Sequence, residues 1–299
     1  MKFIEYNDDT LSKLSLGTVQ FGLNYGIANT QGQPSQEDVN KIIEYVYEND
    51  INCFDTAQAY GNSEEVLSKS IDGKKDIFVI SKLKSNLFKN DLLENINKSL
   101  ANLKIDFLYG LLLHDSELLY DWKEEYTAII ERLIENKKIK YFGVSIYTNE
   151  DFELAVENPS ITFIQIPFNI FDQRAISEDW FKKAKENNKL IFIRSVFLQG
   201  LLLMDINKVP ENLKIAKKYL YIFESYCDKM RISKNELALS FVDTIAKESL
   251  ILFGCDNIDQ AQENITSFNN LKELDKTIME NIINDFKDMD DKIYNPTKW

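Results

Sequence analysis

The sequence predicts an α/β fold: a single (β/α)8 TIM barrel spanning residues 1–299 as one domain, with an N-terminal β-hairpin and extra C-terminal helices. Three observations carry that prediction. About eight short apolar runs alternate with segments whose apolar residues recur at helical spacing. The apolar runs are continuous rather than alternating, as parallel strands covered by helices should be. No G-x-G-x-x-G and no P-loop is present, which sets aside the doubly wound alternative.

In chain order, residues 3–14 read as a hairpin turning at Asn7-Asp8-Asp9, and 14–18 as the first barrel strand. A loop rich in Gly, Asn and Gln follows to Gln33. Ser35, with Asp38 three residues on, opens a helix whose inward face is Val39, Ile42, Ile43 and Val46. A second strand, 51–55, ends on Asp55; Tyr60 lies on the tight loop beyond it, and Ser63 is placed to cap the next helix. The pattern repeats with strands ending at Ser81-Lys82, at His114-Asp115, at Ser145, around Gln165, at Arg194-Ser195 and at Phe253. Helical stripes lie between them, one of them beginning at Trp122 and another opening on the capping box Ser233…Glu236.

The chain is 44% hydrophobic and 28% charged, which suits a soluble globular protein with a sizeable core. Its formal net charge of -13 disfavours nucleic acid and anionic membranes as partners. The three cysteines are far apart and there is one histidine, so a Cys/His zinc site is not expected. The N-terminus has no apolar signal core, and the richest apolar run, 190–204, is interrupted by Arg194. A cytoplasmic protein, monomeric or a small homo-oligomer, is the expectation.

In such a barrel, function gathers at the C-terminal ends of the strands. Asp55, Tyr60, Lys82, His114, Ser145, Gln165, Arg194 and Ser195 all fall there, so closing the barrel brings them to one mouth. Their types suit carbonyl reduction. Hydride must come from a nicotinamide, since side chains do not donate it. A phenol has an ordinary pKa of about 10. A lysine charge about 4 Å away is worth roughly 4 kcal/mol at an effective dielectric of 20. That lowers a phenol by up to about three units, nearer the working pH.

At Asp55-Thr56-Ala57-Gln58-Ala59-Tyr60-Gly61-Asn62-Ser63-Glu64, with Lys82 and His114 at later strand ends, the chain resembles the aldo-keto reductases. The resemblance implies Tyr60 as general acid, Lys82 tuning it, Asp55 paired with Lys82, and His114 orienting the carbonyl. It implies NADP or NAD as cofactor and a small-molecule carbonyl substrate. Gly17 and Thr18 match the family's first strand, Ser145 and Gln165 its carboxamide partners. Arg194 and Ser195 through Phe197 and Gln199 match its pyrophosphate loop. Gly254, Asp256, Gln260, Glu263 and Asn264 match its adenosine segment.

The departures from the family pattern are specific. Ile146 stands where Asn or Arg usually follows the serine, Arg194 where an aromatic ring often stacks, and Val196 where a proline is usual. The stretch from Gly254 to Gln260 carries Asp256 and Asp259 and no base, which opposes a 2′-phosphate and admits NAD. Asn24, Gln58, Asn169 and Gln173 suggest a hydroxylated substrate, with Tyr25, Trp122, Phe168, Phe171 and Trp299 as candidate pocket aromatics. Two rival readings are a Schiff-base aldolase using Lys82 and a cofactor-binding regulatory subunit.

Overall fold

A computed structural model describes residues 1–299. The hairpin is β1 (Phe3–Tyr6) with β2 (Asp9–Ser12), and Asn7 takes the left-handed conformation at its turn (φ 52°). Eight parallel strands follow: β3 (Leu14–Gly17), β4 (Cys53–Asp55), β5 (Phe78–Leu83), β6 (Leu108–Leu113), β7 (Ile139–Ser145), β8 (Phe163–Pro167), β9 (Leu190–Arg194) and β10 (Leu250–Phe253). β10 pairs with both β9 and β3, which closes the barrel.

Two apolar layers hold it. A small inner cluster of Cys53, Ile80, Tyr109, Leu112, Phe163, Phe192 and Leu252 fills the barrel, and Leu11 of the hairpin packs beneath. The larger cluster lies between the strands and the helices. The helix Gln36–Glu48 buries Val39, Ile42, Ile43 and Val46 against it, as its spacing predicts. Each such side chain contributes about 1.5–3 kcal/mol on burial, more than helix propensity supplies.

The local signals hold where their partners are local. Ser35 accepts the Asp38 amide, and the Ser233…Glu236 capping box forms at the helix Lys234–Ile245. Three expectations need correction. Ser63 does not cap: it is the first residue of the helix Ser63–Ile71, and its hydroxyl donates instead to Thr18 O at 2.7 Å, tying that helix to β3. The loop after β3 includes one helical turn, Val19–Gly22. Trp122 lies ahead of its predicted helix, between a 3-10 turn (Glu117–Asp121) and Glu124–Glu135, with its ring edge-on to Tyr126. No helix is long and apolar enough to cross a membrane.

Candidate active site

The period of two in a β-strand builds the site directly on the inner apolar layer. Cys53, Ile80, Leu112, Phe163, Phe192 and Leu252 belong to that layer. The residue two positions on in each case is Asp55, Lys82, His114, Gln165, Arg194 and Gly254. Side chains that follow a barrel-filling residue at this interval point up the same interior toward the mouth. β5 runs one residue beyond Lys82 and β9 ends on Arg194 as expected, so both side chains project from ordered strands.

Tyr60 arrives from a loop pinned by two glycines. A Cβ on Gly22 would sit 1.7 Å from Tyr60 O, and one on Gly61 2.4 Å from Gly22 O. Gly61 also takes a positive φ of 59°. The close approach of these two backbones fixes the turn and sets the phenol against His114, ring centroids 5.3 Å apart at 81°.

Asp55 is the organising group. One carboxylate oxygen accepts from Lys82 Nζ, the other from Gln165 Nε2 at 2.9 Å. Lys82 also donates to Thr56 O at 2.9 Å and is 1% exposed. Its ammonium lies 5.1 Å from the centre of the Tyr60 ring. Thr18 donates through both its amide and its hydroxyl to Asp55 O (2.9 and 3.1 Å), which locks β3 to β4.

The electrostatics differ from expectation at one point: the Tyr60 phenol does not sit below its ordinary value. Burial, and then the Asp55 charge, push it well above, with Arg194 opposing. Asp55 answers the Lys82 charge at contact. Burial also pulls Lys82 itself down, against Asp55. His114 is pushed down to about 3, by burial first and then by Lys82 and Arg194. Tyr60 and His114 are therefore neutral at ordinary pH.

A cavity of about 550 Å³ opens above this cluster. Tyr60, His114, Asp55, Ser145, Gln165 and Arg194 line its reactive end. Gly17, Thr18, Ser195, Phe197 and Gln199 continue the wall, and Gly254, Asp256, Gln260, Glu263 and Asn264 line the part farther along. Lys82 alone of the predicted site residues lies beneath the wall. That placement disfavours the Schiff-base reading, which needs its amine in contact with substrate. Ser195, Leu198 and Gln199 are left-handed non-glycine residues (φ 63, 50 and 53°). Each such residue costs about 1–3 kcal/mol, and strain of this kind gathers at ligand-binding loops.

The groups present fit a nicotinamide dinucleotide. Two polar atoms of cavity-lining residues, His114 Nδ1 and Gln20 Oε1, are buried without a hydrogen-bond partner. Buried polar atoms are normally satisfied, so these are open to a polar ligand. Ser145 and Gln165 offer carboxamide partners, and the carboxylates and amides around Asp256 offer ribose partners.

Several residues escaped the sequence reading. Gln20, Tyr147 and Asn235 line the cavity, and Asn29 reaches it, beside Tyr25, from the loop after β3. Asn29 donates to Asp256 at 3.3 Å, a contact between positions far apart in the chain. Tyr25, whose phenol burial pushes up to about 12, was the one foreseen by type. Conversely, the polar residues expected to contact substrate are occupied elsewhere. Gln58 donates to Asn95 O, Asn169 to Ser195 O and Gln173 to Ile170 O, while Asn24 is exposed outside the cavity wall. Phe168 and Phe171 are core, and Trp122 and Trp299, partly buried, pack against it. A second cleft of about 500 Å³ meets the first at His114 and is lined by Lys84, Asn86, His114, Asp115 and Glu117, with no apolar residue.

The comparisons with known proteins agree with this architecture. A family model described as the aldo/keto reductase family matches residues 13–284. The uncharacterized oxidoreductase YqkF of Bacillus subtilis (strain 168) is 24% identical over 251 residues, covering 76% of this chain and 81% of its own. The aldo-keto reductase AKR11C1 from Bacillus halodurans, in its holo form, superposes over 100% of both chains with a TM-score of 0.79 at 19% identity. An aldo/keto reductase from Klebsiella pneumoniae, solved in complex with NADP and acetate, superposes over 99% of this chain and 96% of its own with a TM-score of 0.70, also at 19% identity. With a barrel closed in this order, a mouth built in this way and a family match over nearly its whole length, the chain belongs to the aldo/keto reductase family and is an NAD(P)-dependent oxidoreductase.

Proposed function

We propose that this enzyme reduces a small hydroxylated aldehyde or ketone to the alcohol, with Tyr60 as general acid. The observation that carries the reading is the meeting of a neutral phenol, a neutral imidazole and a buried Asp–Lys pair at one end of a dinucleotide-sized cavity. The bound nicotinamide supplies the hydride. Tyr60 delivers the proton to the carbonyl oxygen, and being neutral it is loaded at every physiological pH. His114, neutral for the same reason, hydrogen-bonds that oxygen and orients it. Lys82 offsets the negative charge left on the phenol oxygen. Asp55, steadied by Gln165, keeps Lys82 charged and in place.

The substrate class rests on the second cleft. Its lysine and asparagine donate and its carboxylates accept, a mixture suited to the hydroxyls of a sugar-like chain and poorly suited to an alkyl one. Cofactor choice rests on the far wall. Asp256 and Glu263 stand there with Gln260 and Asn264, and no lysine or arginine lines that part of the cavity. A second phosphate group would meet carboxylates, while a ribose hydroxyl would donate to one. NADH is therefore used at least as well as NADPH.

One carbonyl panel with both cofactors tests all three parts. The wild type is expected to turn over short hydroxylated carbonyls, and Tyr60→Phe to lose about 10² to 10⁴ in kcat/KM. A Tyr60→Phe rate within a few fold of wild type removes the general-acid role. A strong NADPH preference removes the cofactor assignment, and better turnover of alkyl aldehydes removes the substrate class.

A further inference from the structure

We infer that Arg194 makes the nicotinamide end of the cavity select by charge, so that the enzyme binds the reduced cofactor more tightly than the oxidised one. The inference rests on the function proposed above.

Arg194 points up the barrel interior two residues after Phe192 and lines the cavity together with Tyr60 and His114. It is held from three sides. Nη2 donates to Ile146 O at 3.0 Å, Nη1 contacts Ser195 Oγ at 3.4 Å, and the guanidinium lies over the Tyr147 ring, 4.1 Å from its centre. None of these partners is an anion. Two of the three carboxylates that line the cavity are engaged elsewhere, Asp55 with Lys82 and Gln165 and Asp256 with Asn29 and Gln260, and the third, Glu263, belongs to the far wall. Since Asp55 and Lys82 offset one another and His114 is neutral, Arg194 is the uncompensated charge at the reactive end.

Its charge bears on Tyr60, His114 and Lys82. A ring able to pass hydride to the carbon whose oxygen Tyr60 protonates must come within the same reach. That ring is a cation when oxidised and neutral when reduced, while the rest of the dinucleotide is unchanged. Attraction between Arg194 and the phosphates therefore cancels in the ratio of the two affinities, and repulsion of the oxidised ring does not. In a mixed pool the site fills with the reduced form and sheds the oxidised form after turnover. Substitution of a cation for a stacking aromatic ring thus acts on the choice between the two redox forms as well as on packing.

The test is equilibrium binding of NADH and NAD⁺, and of NADPH and NADP⁺, by calorimetry. It compares the wild type with Arg194→Gln and the charge-keeping Arg194→Lys, each checked for an unchanged melting temperature. The wild type is expected to bind the reduced form about tenfold tighter or more, with most of that ratio lost in Arg194→Gln and kept in Arg194→Lys. Equal weakening of both forms in Arg194→Gln assigns the arginine to the phosphates and overturns the inference, as does an unchanged ratio. If the Gln variant unfolds, loss of the ratio in Arg194→Lys also overturns it. Failure of the wild type to bind any of the four dinucleotides overturns the proposed function itself.

Discussion

The two ends of the barrel are built from the same kinds of residue and do different things. At the bottom, Asp9 accepts from Lys140 at 2.6 and 2.7 Å and from the Tyr109 hydroxyl at 3.1 Å, with Tyr141 alongside. At the top, Asp55 is joined by Lys82 and Tyr60. The difference lies in where the carboxylate's oxygens go. Asp9 takes the phenol proton donor, so Tyr109 is tied into a plug. Asp55 is filled by Lys82 and Gln165, which leaves the Tyr60 hydroxyl without a protein partner beside a cavity. A carboxylate, an ammonium and a phenol make a structural staple or a proton-donating site according to that one distribution of hydrogen bonds.

Substituting matched residues at the two ends sharpens or breaks this comparison. The largest contrast is Tyr60→Phe against Tyr109→Phe. The first is expected to cost about 10² to 10⁴ in rate. The second should leave the rate unchanged and remove about 1 kcal/mol of stability with its hydrogen bond, as read from denaturant unfolding. A rate loss at Tyr109 comparable to that at Tyr60 would erase the distinction. Next come the lysines. Lys82→Met strands a buried carboxylate and should destabilise by about 3–5 kcal/mol. Lys140, whose side chain is 41% exposed, should cost about 0–1 kcal/mol when replaced by Met. Equal losses would mean that burial does not separate the two ends.

The smallest effect is a slope with pH. His114, the one histidine, sits at about 3 in the folded chain against 6.5 ordinarily. Between those values the unfolded chain binds a proton that the folded chain does not, so stability falls as pH drops below about 6.5 and the loss levels off near 3. From pH 7 to 5 the histidine accounts for about 2 kcal/mol of that loss. Unfolding of the wild type and His114→Gln at both pH values measures it. Identical pH dependence in the two proteins would show that the imidazole is not buried in neutral form.

The legible parts of the site share a property. Asp55, His114 and Ser145 sit at strand ends, and a strand end announces itself by where an apolar run stops; Gln165 is the one polar residue inside its strand. The inner layer was not legible in this way, because strands apolar on both faces show no period of two. Ser63 shows the limit: by spacing it is a helix cap, yet Thr18 claims its hydroxyl from another strand. Gln58, Asn169 and Gln173 show it again, polar residues near the mouth by position whose hydrogen bonds are already used on backbone carbonyls. Arg194 was visible as a departure from pattern, but its anchor on Ile146 O was not, since a main-chain oxygen leaves no trace in the residue code.

The amino-acid order determined the barrel, its strand ends, the caps at Ser35 and Ser233 and the set of side chains brought to the mouth, because periodicity and capping act within a few residues. Tertiary structure alone decided which of those side chains remain free to do chemistry. A carboxylate has two oxygens and a hydroxyl one proton, and their partners come from strands more than a hundred residues apart, as Gln165 does for Asp55. Only closure of the barrel settles that allocation, and with it whether a buried phenol is a proton donor or a rivet.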